Sequence, residues 1–488
     1  MRAITQSVAC FLLACSSLVH GQDKLNVLFI AVDDLRTSLG CYGDPVSKTP
    51  HLDALAKSGQ IFTRAYCQQA VCNPSRQSVL SGRRPDSIRI WTLVDHFRQT
   101  APDVVSLPQY FKEQGWFAQA FGKIYHGQTG MSDPPSWSVP EQFHDVPKGD
   151  DYLLPENQAG PDNKNAKMAS YEAADTGDDA YRDGQVAAAA IQALREKRTQ
   201  PFFIAVGFRK PHLPFSVPKK YWDLYDPAAI PLPVHPTSPT GAPEIARHEW
   251  KELRGYADIP AEGPLSAEKQ RQLRHGYYAA VSYTDAQIGR VLEELDSQGL
   301  RDKTVVVLWS DHGFHLGEQD LWCKDTNYEL ATRVPLFLRV PGQKNPGVPI
   351  PALAELVDLY PTLVELCSLP RPQGLDGKSL VPLLQDATAK VRPFAISQFP
   401  RPWQQKEQPQ NMGYTLRNER WRYVEWLDFN TRQHLSRELY DMQDCLIEHS
   451  NLAEQAEYAA TVADLSRQLH AVLDPNVQPL KKSRKKKK

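Results

Sequence analysis

Cys72, Asn73, Pro74, Ser75 and Arg76 stand together, with Ser81 and Gly82 closing the segment, and this spacing predicts a helix that begins at the cysteine. Pro74 suits the first helical turn, where its missing N–H costs nothing, and Gly82 suits the residue that closes a helix. A thiol there faces unpaired backbone N–H groups, and an anion is favoured at such a terminus. A small buried cysteine before an ordinary helix is the plainer alternative, and the length of the pattern weighs against it. Asp33-Asp34 and Asp311-His312 add hard carboxylate oxygens, a donor set that favours Ca²⁺ or Mg²⁺. Helix capping after a strand would account for Asp33-Asp34 taken alone.

These groups need a scaffold that brings them together. Leu25 to Val32 is a continuous apolar run ending at Asp33-Asp34, as expected of a strand buried on both faces of a mostly parallel sheet. The same pattern recurs at Pro201 to Phe208, before Arg209-Lys210-Pro211-His212, and at Thr304 to Ser310, before Asp311-His312-Gly313. Polar residues after strand ends mark the ligand crevice of open α/β sheets. Helices are expected at Leu52 to Lys57, Leu107 to Gln114, Ala187 to Lys197, Gln272 to Gln298 and Leu353 to Cys367, giving a central sheet sandwiched by helices. Residues 127–175 and 227–264, rich in Pro, Gly, Asp and Asn, read as long surface loops that shape access to the crevice. After Leu384 short strands are expected at Phe394 to Phe399, Gly413 to Asn418, Trp421 to Leu427 and Glu438 to Met442, then a helix from Leu452 to Leu473. That is a smaller α+β domain on an antiparallel sheet, with a tight hairpin at Arg417 to Trp421.

The 488 residues, 41% hydrophobic, suit one large and one smaller domain. The expected boundaries are a leader at 1–21, a catalytic domain at 22–385, the smaller domain at 386–478 and a disordered basic tail at 479–488. The net charge of −1 conceals seven basic residues among the last eight, which leaves 49 basic against 57 acidic residues upstream. No nucleic-acid partner is expected of this mildly acidic body. Arg2, the apolar stretch Val8 to Val19 and Gly21 read as a secretory signal, so the protein is expected to be exported, periplasmic or secreted. Leu12-Leu13-Ala14-Cys15 also resembles a lipoprotein box, with Leu13 bulky for it, and lipid anchoring at Cys15 is the lesser alternative. No other stretch is long and apolar enough to span a bilayer. The six cysteines outside the leader are scattered and form no disulfide framework.

Cys72 through Arg84 resembles the signature of type I sulfatases, in which the cysteine is oxidised to formylglycine. The resemblance spans Leu25 to Gly342 and, for the iduronate-2-sulfatase branch of that family, nearly the whole mature chain. It is carried by Asp33-Asp34-Leu35-Arg36, Leu39-Gly40-Cys41-Tyr42-Gly43, Gln68-Gln69-Ala70-Val71-Cys72, Gly82-Arg83-Arg84-Pro85-Asp86, Gly122-Lys123 with His126, Lys210-Pro211-His212, Ser310-Asp311-His312-Gly313 and Ser397-Gln398-Phe399-Pro400-Arg401-Pro402. It implies an alkaline-phosphatase-like fold and a sulfuric ester hydrolase active on sulfated oligosaccharides or polysaccharides, with 2-O-sulfated iduronate or a related uronate as the leading substrate. It also implies one Ca²⁺, with Mg²⁺ the lesser choice, on Asp33, Asp34, modified Cys72, Asp311 and His312. Most sulfatases carry Asn or Gln where this chain has His312.

The resemblance further implies maturation by a formylglycine-generating enzyme. One hydroxyl of the hydrated aldehyde would attack sulfur, His212 would protonate the departing sugar oxygen, and His126 would take the proton of the second hydroxyl. Arg76, Lys123 and Lys324 would hold the anionic oxygens. Phe314, Gln398 and Arg401 are candidates to contact the sugar, although the branch has Trp-Ala where this chain has Phe314-His315. Two other readings stand beside this one: a phosphoester or phosphonate hydrolase of the alkaline phosphatase superfamily, and an inactive glycan-binding homologue.

Overall fold

The computed structural model describes residues 24–127, 130–145, 151–158, 168–196, 198–248, 250–404, 406–474 and 477. The segments read as leader, lipid box and basic tail lie outside them. The large sheet contains β1 (Asn26–Val32), β2 (Gln60–Tyr66), β3 (Phe117–Gly122), β4 (Phe202–Phe208), β5 (Thr304–Ser310), β6 (Arg333–Val334), β7 (Leu336–Arg339) and β8 (Ile350–Glu355). Its order is β6-β2-β7-β5-β1-β4-β3, with β8 also paired to β2. The pairs β1–β4, β1–β5, β3–β4 and β2–β8 are parallel, whereas β7 runs antiparallel to β5 and β2.

Alternation along the central strands feeds two helix layers. Leu28, Ile30 and Val32 face a core shared with α1 (Pro50–Ser58), α4 (Arg182–Arg195) and α5 (Ala267–Ser297). Val27, Phe29 and Ala31 face the opposite core, with α2 (Cys72–Ser81), α3 (Leu107–Glu113) and α6 (Leu359–Leu366). Because both faces are covered, the strands read as unbroken apolar runs. The expected helix from Leu353 to Cys367 is corrected: its first residues pair with β2 as β8, and the helix spans only Leu359–Leu366.

Register positions the chemistry. Val32 lies beside both Phe208 and Ser310, and Gly122 beside Gly207, so the polar residues that follow all emerge at one sheet edge. The ladder continues one residue further, through Asp33 N–H to Phe208 O (3.1 Å), Asp311 N–H to Val32 O (3.3 Å) and Lys123 N–H to Gly207 O (3.0 Å). A Cβ at Gly207 would lie 2.2 Å from Lys123 O, so only glycine permits that approach.

The second sheet comprises β9 (Ala395–Arg401), β10 (Asn411–Arg417), β11 (Trp421–Asp428) and β12 (His434–Asp441), antiparallel throughout. One face is covered by α7 (Ala459–His470), shorter than the helix expected from Leu452 to Leu473. The other face meets the large domain at Glu329, which pairs with Arg417 (3.1 Å) and Arg422, while Arg422 also reaches Glu448 (3.0 Å). Burial opposes ionisation of Glu329, but Arg417 and Arg422 overcome it and hold the carboxyl at about 2. A depressed pKa stabilises the fold above the ordinary glutamate value and loses that contribution as pH falls towards 2. Glu329→Ala should therefore cost about 3–5 kcal/mol in urea unfolding at neutral pH, because it strands buried cations. The difference between variant and wild type should shrink as the pH is lowered.

Candidate active site

Helix α2 is polar in composition yet buried along its whole length, which is affordable only because its side chains are paired. The Asn73 amide donates to Thr92 O and Asp95 O, the Gln77 amide donates to Asp95 O, and the Gln77 carbonyl accepts from Phe97 N–H. The Ser75 hydroxyl donates to Asp311 O. Gly82 ends the helix at φ 65°, as expected, and no side chain caps its N-terminus, where Cys72 sits 3% exposed.

Around Cys72 the sheet edge assembles Asp33, Asp34, Asp311 and His312, all fully buried. Donor atoms of Asp33, Cys72, Asp311 and His312 lie within 4.8 Å of one another, as do those of Asp33, Asp34, Cys72 and His212. The His312 Nδ1–H donates to Gly313 O (3.0 Å), which leaves the Nε2 lone pair facing Cys72 Sγ (3.4 Å), Asp34 Oδ1 (3.3 Å) and Asp311 Oδ2 (3.6 Å). A lone pair turned towards two carboxylates is repulsive unless a cation lies among them, so the donor set fits a metal ion.

Three cations balance the acids. Lys123 Nζ bonds Asp33 (2.5 Å), and Lys324 Nζ bonds both oxygens of Asp34 (2.9 Å each). Arg76 spends four of its five N–H groups on Asp311 (2.8 Å), Asp33 (3.1 Å) and the carbonyls of Lys123 and Ile124. Its geometry makes Arg76 the residue that fixes two carboxylates, Asp33 and Asp311. Burial would raise the Asp33 carboxyl, yet Lys123 and Arg76 hold it well below the usual range. Asp34 goes the other way, raised by burial, with Asp33 adding to the shift against the pull of Lys324. Burial, and then the Asp33 charge, push the Cys72 thiol well above its ordinary value. As encoded, the side chain is a protonated and weak nucleophile.

Two histidines flank this cluster. Both ring nitrogens of His126 are buried with no hydrogen-bond partner among the described residues, and burial, then Lys123, keep the ring neutral. His212 donates from Nδ1 to Leu213 O and faces Glu252 Oε1 through Nε2 at 3.3 Å. Its backbone is held from behind, where Asp183 accepts from the N–H groups of Arg209 and Lys210 and the Lys210 ammonium bonds Pro214 O (2.6 Å). Glu252, not foreseen from the sequence, also pairs with Lys324 (3.1 Å) and so ties the 227–264 segment to the site.

The three sugar-contact candidates are not brought together. Phe314 is a correction: its ring, 1% exposed, lies in the core against Tyr277, and its N–H bonds Leu330 O. Gln398 is likewise committed, its amide donating to Asp86 (2.7 Å). Arg401 donates to the carbonyls of Ile245, Ala246, Arg247 and Asp325. It nevertheless lines a cavity of about 340 Å³ with Arg247, His248, Lys251, Asp325 and Trp403, next along the chain from Lys324.

The chain matches the Sulfatase family profile over residues 25–369 and the N-sulphoglucosamine sulphohydrolase C-terminal profile over residues 317–474. It is 34% identical to Iduronate 2-sulfatase of Mus musculus, covering 93% of this chain and 96% of that protein. Identity to Iduronate 2-sulfatase of Homo sapiens is 35%, with 85% and 87% covered. Among solved structures, a phosphonate monoester hydrolase from Silicibacter pomeroyi superposes with a TM-score of 0.75 at 25% identity, covering 92% of this chain and 95% of that one.

Proposed function

The chain belongs to the formylglycine-dependent sulfatase family of sulfuric ester hydrolases, and from that membership we propose that it removes sulfate from sulfated glycans, with 2-O-sulfated iduronate or a related uronate as leading substrate. We read it as an exported enzyme. The observation that carries the proposal is the uncapped N-terminus of α2, where Cys72 lies buried among three carboxylates, His312 and three fixed cations. Asp33, Asp34, Asp311 and His312 would hold Ca²⁺, which supplies a Lewis acid for sulfate oxygens, and formylglycine at position 72 supplies a hydrated aldehyde as nucleophile. The side chains do the rest. Lys123 and Lys324 place positive charge beside the transferring group, Arg76 locks Asp33 and Asp311, and neutral His126 is free to accept a proton. The cavity lined by Arg247, Lys251 and Arg401, with Glu244 and Asp325, offers an acidic sugar a wall in which cations outnumber acids.

Turnover of a panel of defined sulfated oligosaccharides by protein co-produced with a formylglycine-generating enzyme tests this reading. The panel includes phosphonate monoesters, because the Silicibacter pomeroyi likeness favours that second reading. Preference for the phosphonates would overturn the proposal.

Burial, then the Lys324 charge, weaken the hold of His212 on a proton, so as an acid it donates readily but is loaded only on the acid side. Activity on sugar sulfates should fall as pH rises. His212→Ala should lose about 10²-fold on a sugar sulfate, whose alkoxide needs a proton, and little on an activated aryl sulfate. Glu252→Gln should take a smaller share of the same selective loss and move the alkaline limb to lower pH, since it removes the negative charge facing Nε2. Equal losses on both substrates would leave His212 a binding residue at most.

A further inference from the structure

Away from the sheet edge, His235, Cys445 and His449 bring their donor atoms within 4.8 Å of one another. The Cys445 thiol lies 3.2 Å from His449 Nε2, and the His235 and His449 rings meet edge to face with centroids 4.0 Å apart. His235 belongs to the 227–264 segment, whereas Cys445 and His449 lie between β12 and α7. We propose that these three side chains form a second metal site, for Zn²⁺ or a similar borderline transition-metal ion, that fastens the 227–264 segment to the smaller domain.

The donor set differs in kind from the one beside Cys72. One thiolate and two imidazoles, with no carboxylate among them, select Zn²⁺ over Ca²⁺, and exposure at His235 and His449 leaves room for water as a fourth ligand. Binding would release the thiol proton to solvent. The backbone under the site is already fixed. His235 O accepts from Gln319 N–H (2.6 Å), and the Gln319 amide donates to Glu448 Oε2 (2.8 Å), next to His449. His449 O accepts from Thr240 N–H (2.8 Å), and Thr240 O accepts from Asn451 N–H (2.8 Å). The same segment carries Glu252 to Lys324 and His212, so an ion here would steady the wall of the active site without touching substrate.

Loading full-length, untagged protein with Co²⁺ alone tests the proposal. Wild type and Cys72→Ser should both show thiolate-to-Co²⁺ charge transfer in the near ultraviolet, displaced by Zn²⁺, and Cys445→Ser should lose it. Zn²⁺ should also raise the melting temperature of Cys72→Ser but not of Cys445→Ser. His235→Gln, at an exposed position, repeats the test should Cys445→Ser fail to fold. No band in wild type, a band that survives Cys445→Ser, or one lost with Cys72→Ser would overturn it.

Discussion

Cys72→Ala should abolish turnover, with a loss on the order of 10⁴–10⁶, the scale seen when a nucleophile is deleted from an otherwise intact site. The expectation rests on the state of the encoded thiol, buried and held protonated beside Asp33. Protein made without the maturation enzyme should be as inactive as the variant, although correctly folded. Peptide mass spectrometry across residues 72–83 of active enzyme decides the matter: a segment that remains wholly thiol in a fully active preparation refutes the assignment. Equal melting temperatures for variant and unmodified wild type would show that the loss is chemical.

Asp311→Asn carries the second large effect, at least on the order of 10³, because one carboxylate serves several partners. It receives the Arg76 Nε–H and the N–H groups of Asp34 and His312, and its Oδ2 faces His312 Nε2. Losing its charge weakens the metal site and loosens the arginine that fixes Asp33. A calcium chelator should reproduce the activity loss in wild type, reversibly on adding Ca²⁺, and should lower its melting temperature, since the His312 Nε2 lone pair then faces Asp34 and Asp311 with no ion among them. Added Ca²⁺ should not restore Asp311→Asn. Full activity in chelated protein would refute the metal assignment.

The central strands are legible in the sequence because each of their faces is covered, which forces β1, β4 and β5 into unbroken apolar runs that end on Asp33, Arg209 and Asp311. Strand β2 is hidden because Thr63 and Arg64 interrupt it at half-buried positions. Strand β8 is disguised for another reason: Leu353 and Ala354 run on in an apolar stretch into α6, and only their parallel pairing with Arg64 and Ala65 makes them strand. The site divides the same way. Asp33, Asp311 and His312 are visible because motif and strand end coincide, and Cys72 because its motif opens a helix, whereas Glu252 is a lone acid in a loop that only the fold brings to His212 and Lys324. Phe314 misleads because it follows Asp311-His312-Gly313 directly, while its ring packs in the core against Tyr277 and Phe215, residues distant in sequence that leave no local trace.

The pairing order of the large sheet also sets a clock on biosynthesis. Strand β1 finds its neighbours at residues 202–208 and 304–310, and β2, which leads into Cys72, finds its own only at residues 333–355. Until that stretch has left the ribosome, nothing can close over the cysteine. At about 5–20 residues per second this delay amounts to tens of seconds, during which the segment around Cys72 remains open to a modifying enzyme. Once the sheet zips, the thiol is 3% exposed at the end of a fully buried helix. If Cys72 is converted as proposed, conversion would be a race against folding, and a chain that folds unmodified would stay so.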